Sequence, residues 1–198
     1  MRALKRLTLA GAVIAAALGA FLYLQRTEPP WWARLWFPLR YASIVRGHAA
    51  NYHLNAALLA AVIEEESKFH ADALSRTGAI GLMQLQPTTA EGIALRTGGG
   101  HFVISDLYKP EINVRYGAWY LRHLLDKYGD ERTALAAYNA GQQNVDRWRA
   151  KREPVQFPET RAYVARVERL KGIYRRTYGA ELGLTVRRPA ARARCSCS

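Results

Sequence analysis

From Leu7 to Leu24 the chain runs without a charge and almost without a polar side chain, so the segment has no polar face. As a helix at about 1.5 Å per residue it would span roughly 27 Å, just enough for a bilayer core. Pro29-Pro30 then closes the run, and the pattern changes. From Tyr41 onward apolar residues recur at helical spacing with no convincing period-2 alternation. That spacing predicts helices near 41–53, 55–69, 87–96, 111–128, 131–139, 142–150 and 159–178. The punctuation agrees: Asn55 reads as an N-cap, Pro87-Thr88 as a helix opening, Gly129 and Gly141 as stops. Asp72–Gly81 and Gly98–Gly100 read as loops. The expected fold class is all-α (mainly α), a single helical body preceded by one N-terminal transmembrane helix.

Charge sharpens the picture because it is unevenly placed. The 198 residues carry a net +13. Residues 1–40 contribute +5, residues 182–198 contribute +4 from four arginines, and the body between them only +4. A nucleic-acid binder would carry its basic stripe on the fold itself, so no nucleic-acid partner is expected. Arg2, Lys5 and Arg6 precede the apolar run, which by the positive-inside rule leaves the N-terminus in the cytoplasm and exports the body. Trp31, Trp32, Trp36 and Phe37 follow at the depth where aromatic side chains favour the headgroup region. A cleaved signal peptide, cut near Ala17-Leu18-Gly19, is the alternative. The run continues through Phe21-Leu22-Tyr23-Leu24, which favours an uncleaved anchor, and either way the body leaves the cytoplasm. The expected domains are an anchor (1–30), an aromatic juxtamembrane linker (31–40), the body (41–179) and a basic, disordered tail (180–198).

Composition is that of a globular chain, 49% apolar and 23% charged. The cysteines are Cys195 and Cys197, both in the last four residues. Two positions apart, they would strain to bridge each other, and two sulfurs do not complete a zinc site. An unstructured tail end, an intermolecular disulfide and a lipidated thiol all remain open for them.

Candidate chemistry begins at Glu64-Glu65-Glu66, the end of the helix that starts at Asn55. At about 100° per residue, Leu58, Leu59, Val62, Ile63 and Phe69 form one apolar arc. Glu66 falls inside that arc, on the line Leu58–Val62–Glu66. Glu64 falls on the opposite side, four residues before Lys68, and reads as a solvated ion pair; Glu65 lies at the edge. A carboxyl on the core side must be paired or neutral. A desolvated glutamate with a raised pKa is what glycosidic acid catalysis needs.

Four ordered blocks carry a family resemblance: Glu66-Ser67-Lys68-Phe69; Ser75, Gly78 and Gly81-Leu82-Met83-Gln84; Ala137-Tyr138-Asn139-Ala140-Gly141; and Pro158-Glu159-Thr160-Arg161-Ala162-Tyr163. Over residues 41–178 the chain resembles the soluble lytic transglycosylase family. The resemblance implies a goose-type-lysozyme-like α fold that cleaves peptidoglycan between N-acetylmuramic acid and N-acetylglucosamine, leaving 1,6-anhydro ends. It implies Glu66 as the single acid/base, with Ser67 in the same catalytic pair. Ser75, Met83, Gln84, Tyr138 and Glu159 match groove-lining positions, and Tyr138 and Asn139 fall in the block that closes the groove. Each has a plainer reading: Met83 as core filler, Asn139 as a helix cap, Glu159 as a favourable acid at a helix N-terminus. Asn113 and Gly117 match packing positions and are assigned no chemistry. Gln142-Gln143 stands where the family has Pro-Gly, which leaves the shape of that connection open.

No metal or organic cofactor is implied, and His48, His53, His70, His101 and His123 show no ligand spacing. The implied partners are peptidoglycan glycan strands and the cytoplasmic membrane, with cell-wall synthesis or division complexes as candidate protein partners. The expected location is the cell envelope, with the body on the extracytoplasmic side. A goose-type hydrolase using the same glutamate, and a non-catalytic glycan-binding anchor, are the competing functions.

Overall fold

The computed structural model describes residues 2–184, with side chains from Gly11 onward. The arginine-rich stretch 187–194, Cys195 and Cys197 lie outside the described residues. Two compact units divide at Pro38 and Leu39.

The first unit holds α1 (Arg2–Thr27) and α2 (Pro30–Trp36). Pro30 occupies the first turn of α2, where its fixed φ and missing N–H are tolerated, so the residue pair expected only to stop one helix also starts another. Phe21 and Trp32 meet edge to face at 5.8 Å, and Trp31 and Trp36 each lie within 6 Å of Trp32. Among the described residues no helix is long and apolar enough to cross a membrane. The predicted apolar run begins at Leu7, ahead of the first described side chain.

The second unit is mainly helical: α3 (Ala42–Asn51), α4 (Ala56–Ser67), α5 (Pro87–Thr97), a 3-10 turn (Ile104–Tyr108), α6 (Pro110–Tyr128), α7 (Glu131–Ala140), α8 (Gln142–Ala150) and α9 (Pro158–Tyr178). Among the described residues no strand forms; Leu74–Ile80 and Ile80–Leu85 are isolated antiparallel bridges. Local chemistry sets the boundaries. Asn55 Oδ1 accepts from the N–H groups of Ala57 and Leu58, capping α4. Asp130 does the same for α7 through Thr133, and Gly129 closes α6 in the left-handed region at φ 69°.

At the centre lies α4, buried from Ala56 through Glu64 on every side. Its most extensive neighbour is α9, and α3 also packs against it. A helix buried all round has no solvent face, which corrects the expectation for Glu64: it is 2% exposed rather than solvated. Packing also continues past Tyr178. Leu182 is buried, and Arg46 donates to the Glu181 carbonyl at 3.3 Å.

Candidate active site

The last turn of α4 delivers Glu64, Glu65 and Glu66 to three different neighbours, all on α9. The Tyr163 hydroxyl donates to Glu66 Oε1 at 2.7 Å. Arg166 Nε donates to Glu65 Oε1 at 2.7 Å, and the Tyr174 hydroxyl donates to Glu64 Oε2 at 3.2 Å. The predicted Glu64–Lys68 pair exists at 3.7 Å, with a buried carboxylate and an exposed lysine.

Both Glu64 and Glu66 have pKa values raised above the ordinary carboxyl range, in each case chiefly by burial. What separates them is access. Glu64 is sealed, whereas Glu66 stays partly open to solvent. Burial pushes Glu66 up to about 7; the Tyr163 hydrogen bond opposes that, and the neighbouring Glu65 charge adds to it. Glu66 can therefore exchange a proton near neutral pH with something that reaches it from outside. Tyr138 and Tyr163 are both held well above their usual values by burial and by the Glu66 charge, so both remain protonated donors.

A wall beside Glu66 is the irregular segment from Ala73 to Leu85, pinned from outside by Ser67, Tyr138 and Asn113 and from within by Gln84. Ser67 Oγ donates to the Leu82 carbonyl at 2.8 Å, with Ile63 O a second acceptor at 3.2 Å. The Tyr138 hydroxyl donates to the Met83 carbonyl at 2.8 Å. Gln84 Nε2 donates to the carbonyls of Ala73 and Gly81. Asn113, fully buried on α6, accepts from Met83 N–H at 2.8 Å and donates to the carbonyls of Ile80 and Leu107 at 2.9 and 2.8 Å. Gly81 sits at φ 78°, and a Cβ there would collide with Asn113 and the Leu107 carbonyl, so only glycine fits.

The structure thus brings Glu66, Tyr138 and the Met83 backbone together at one place. Ser67 is buried behind them as a clasp. The Met83 side chain is fully buried against Gly117, so it is core, and its carbonyl is what it offers the site. Ser75 spends its hydroxyl on Ala79 N–H and Thr77 within its own loop. Asn139 is exposed, and its Oδ1 accepts from the buried Thr160 hydroxyl at 2.8 Å, tying α7 to the start of α9. Glu159 is exposed in the first turn of α9, one turn before Tyr163. Gln142 opens α8 directly after Gly141; its side chain accepts from Lys127 and donates to the Tyr120 hydroxyl. Sequence reasoning missed Tyr163 as a site residue, although it is the last member of the fourth block. It also missed Asn113 as the organiser of the wall. Among the described residues no three His, Cys, Asp or Glu side chains stand together as a metal cluster.

The profile of the Transglycosylase SLT domain matches residues 43–158, more than half of the chain. The chain belongs to the transglycosylase SLT domain family. It is 37% identical over 113 residues to the transglycosylase of Enterobacteria phage PRD1, covering 57% of this chain and 39% of that protein. It is 30% identical over 151 residues to the soluble lytic murein transglycosylase of Escherichia coli K12, covering 70% of this chain and 23% of that protein. The membrane-bound lytic murein transglycosylase C of Histophilus somni is 35% identical over 112 residues, 52% of this chain and 31% of that protein. The chain therefore spans well under half the length of these relatives. Among solved structures, the 70 kDa soluble lytic transglycosylase of Escherichia coli superposes with TM-score 0.69 at 28% identity, over 78% of this chain and 27% of that one. An inactive glutamate-to-glutamine mutant of lytic transglycosylase Slt from Pseudomonas aeruginosa gives TM-score 0.67 at 32% identity, over 77% and 26%. The SLT match ends at Pro158, so most of α9, including Tyr163, lies beyond it.

Proposed function

We propose that this chain is a peptidoglycan lytic transglycosylase in which Glu66 is both the general acid and the general base. The observation that carries the proposal is Glu66 itself: partly open, pushed up to about 7 by burial, and oriented by Tyr163 at 2.7 Å. Glu64 has the raised proton affinity without the access, and Glu65 has its charge met by Arg166. Protonated Glu66 donates to the glycosidic oxygen as the bond to carbon 1 of N-acetylmuramic acid breaks through an oxocarbenium-like state. The acetamido carbonyl of the same sugar stabilises that cation. The Glu66 carboxylate then removes the proton from the carbon-6 hydroxyl, whose oxygen bonds to carbon 1 and closes the 1,6-anhydro ring. Glu66 ends protonated as it began, and no water is consumed. Tyr138 and Tyr163 hold the carboxyl and the wall in register throughout. The names of the relatives, all transglycosylases, support this reading, as does the inactivity of the glutamate-to-glutamine neighbour.

Residues Ser75, Gln84, Tyr138, Asn139 and Glu159 form the proposed glycan-facing set, with Ser67 and Met83 supporting it from behind. The chain acts in the cell envelope, its body outside the cytoplasm and α1 as its membrane anchor. The deciding experiment is product analysis on purified peptidoglycan. Anhydro-ended muropeptides are expected; reducing ends alone would make the protein a hydrolase of the same fold, and no product would leave it a glycan-binding anchor.

A further inference from the structure

The end of α4 and one face of α9 meet in reversed order: Glu64 with Tyr174, Glu65 with Arg166, Glu66 with Tyr163. Glu64 is sealed in the core, and Glu66 is the proposed acid. The middle contact takes no part in the proton transfers. Its Nε–Oε1 distance is 2.7 Å, with the Arg166 side chain 52% exposed and that of Glu65 12% exposed. An ion pair so open on one side contributes little to the stability of a fold.

Its position is more telling. Tyr163 and Arg166 lie three residues apart on α9 and so share a face, while Glu65 and Glu66 are successive on α4. The hydrogen bond to Glu66 and the ion pair to Glu65 are two prongs of one contact. The charged and titratable groups turned to this place are Tyr163, Arg166 and Tyr174 from α9, Tyr138 from α7, and Glu64, Glu65 and Lys68 from the end of α4 itself. The tyrosines are neutral donors, and Lys68 is paired with Glu64. The Glu65 carboxylate bears on both Glu66 and Tyr163, pushing each upward. Arg166 in turn bears on Glu65. A single carboxyl that first gives a proton and then takes one back works best when it holds that proton neither too loosely nor too tightly. A carboxylate next in sequence tightens the hold, and a guanidinium on that carboxylate moderates it.

We propose that Glu65 and Arg166 are positioning residues for the reaction, an ion pair at the edge of the site that sets how firmly Glu66 holds its proton. This deepens the reading of Glu66 as acid and base and rests on it. The two halves of the pair act in opposite directions. Glu65→Gln removes the negative neighbour and leaves the guanidinium uncompensated, so Glu66 ionises more readily. Arg166→Gln leaves the Glu65 charge uncompensated, so Glu66 keeps its proton to higher pH. Arg166→Lys retains the cation and should displace Glu66 less than Arg166→Gln does. Arg166 is the more exposed partner, so its substitutions leave the core intact.

Two measurements on the full chain test the inference. The first is a carbon-13 NMR titration of the glutamate carboxyls, the Glu66 signal being the one absent from Glu66→Gln. Its midpoint is expected to fall by about half a pH unit in Glu65→Gln and to rise by about as much in Arg166→Gln. Shifts of the same sign in the two variants, or none in either, overturn the proposal, since a merely structural pair would disturb the site alike from either side. A shift in Arg166→Lys as large as in Arg166→Gln overturns it too. The second measurement is the alkaline limb of kcat/KM on purified peptidoglycan, which should move with the NMR midpoints in sign. A limb that stays fixed while the midpoints move removes the pair from the reaction. The titration needs no turnover, so the two readings fail separately. Opposite midpoint shifts with an active Glu66→Gln would sink Glu66 as the acid, whereas like shifts with an inactive Glu66→Gln would sink only the ion pair's role.

Discussion

At Glu66 two properties pull on one another, and both can be measured. Glu66→Gln keeps the side-chain volume but can neither donate nor accept the proton, so turnover on peptidoglycan is expected to fall by at least about 10²–10⁴. The same substitution should stabilise the fold at alkaline pH. The folded pKa, about 7, lies above the reference 4.5, so the folded state holds this proton more tightly than the unfolded chain. The stabilising contribution of Glu66 is complete below about 4.5 and lost as pH rises through 7. Relative to wild type, Glu66→Gln should therefore gain up to about 3 kcal/mol at pH 8 and nothing at pH 4; urea midpoints at the two pH values check it. Tyr163→Phe removes a donor that favours the ionised carboxyl, so the alkaline limb of the pH–rate profile should move up by about half to one pH unit. A limb that stays or moves down would contradict the role given to Tyr163. The inward placement of Glu66 was legible in the sequence because it interrupts an apolar arc. Glu64 was misread because a helical wheel presumes a wet side, and α4 has none before its last turn. The partnership of Tyr163 with Glu66 has no local signature, being made across 97 residues.

Element boundaries were legible wherever a side chain or a proline sets them, as at Asn55, Pro87 and Gly129. The helix at Pro30 was not, because a proline pair ends one helix and opens the next with the same geometry. Asp72–Gly81 was readable as a loop, while the shape of the wall it belongs to depends on Asn113, which contacts that wall from about thirty residues away in sequence. Asn113→Ala removes the side-chain partner of the Met83 N–H and of the Leu107 carbonyl, while the Ile80 carbonyl keeps the Leu85 N–H at 3.0 Å. At about 1–3 kcal/mol for each of these two groups, partly recovered by relaxation, a loss on the order of 2–4 kcal/mol is expected in chemical denaturation. Activity should fall with it, since the wall faces Glu66. Gly117→Ala drives a methyl into Met83, and overpacking of that kind costs about 1–3 kcal/mol. Because Met83 also presents its carbonyl to Tyr138, that substitution should lower kcat at temperatures well below the new Tm.

For the whole molecule, the asymmetry of charge and the long first helix set the expected placement. Intact protein in the membrane fraction with its original N-terminus, and a body open to protease only from outside, is the anticipated result of N-terminal sequencing and shaving experiments. A mature start after Gly19 would replace the anchor with a cleaved leader. The clamp of α9 on the three glutamates bears on timing as well as geometry. A chain made from its N-terminus presents Glu66 long before Tyr163, Arg166 and Tyr174 exist to meet the end of α4. Until the body of α9 packs over the end of α4 and buries it, Glu66 is an ordinary wet carboxylate, ionised at neutral pH and unable to give up a proton. Under the proposed mechanism, burial of Glu66 by the last helix and arming of the acid are one event, and a nascent, truncated or half-threaded copy would be a blank round rather than a loose blade.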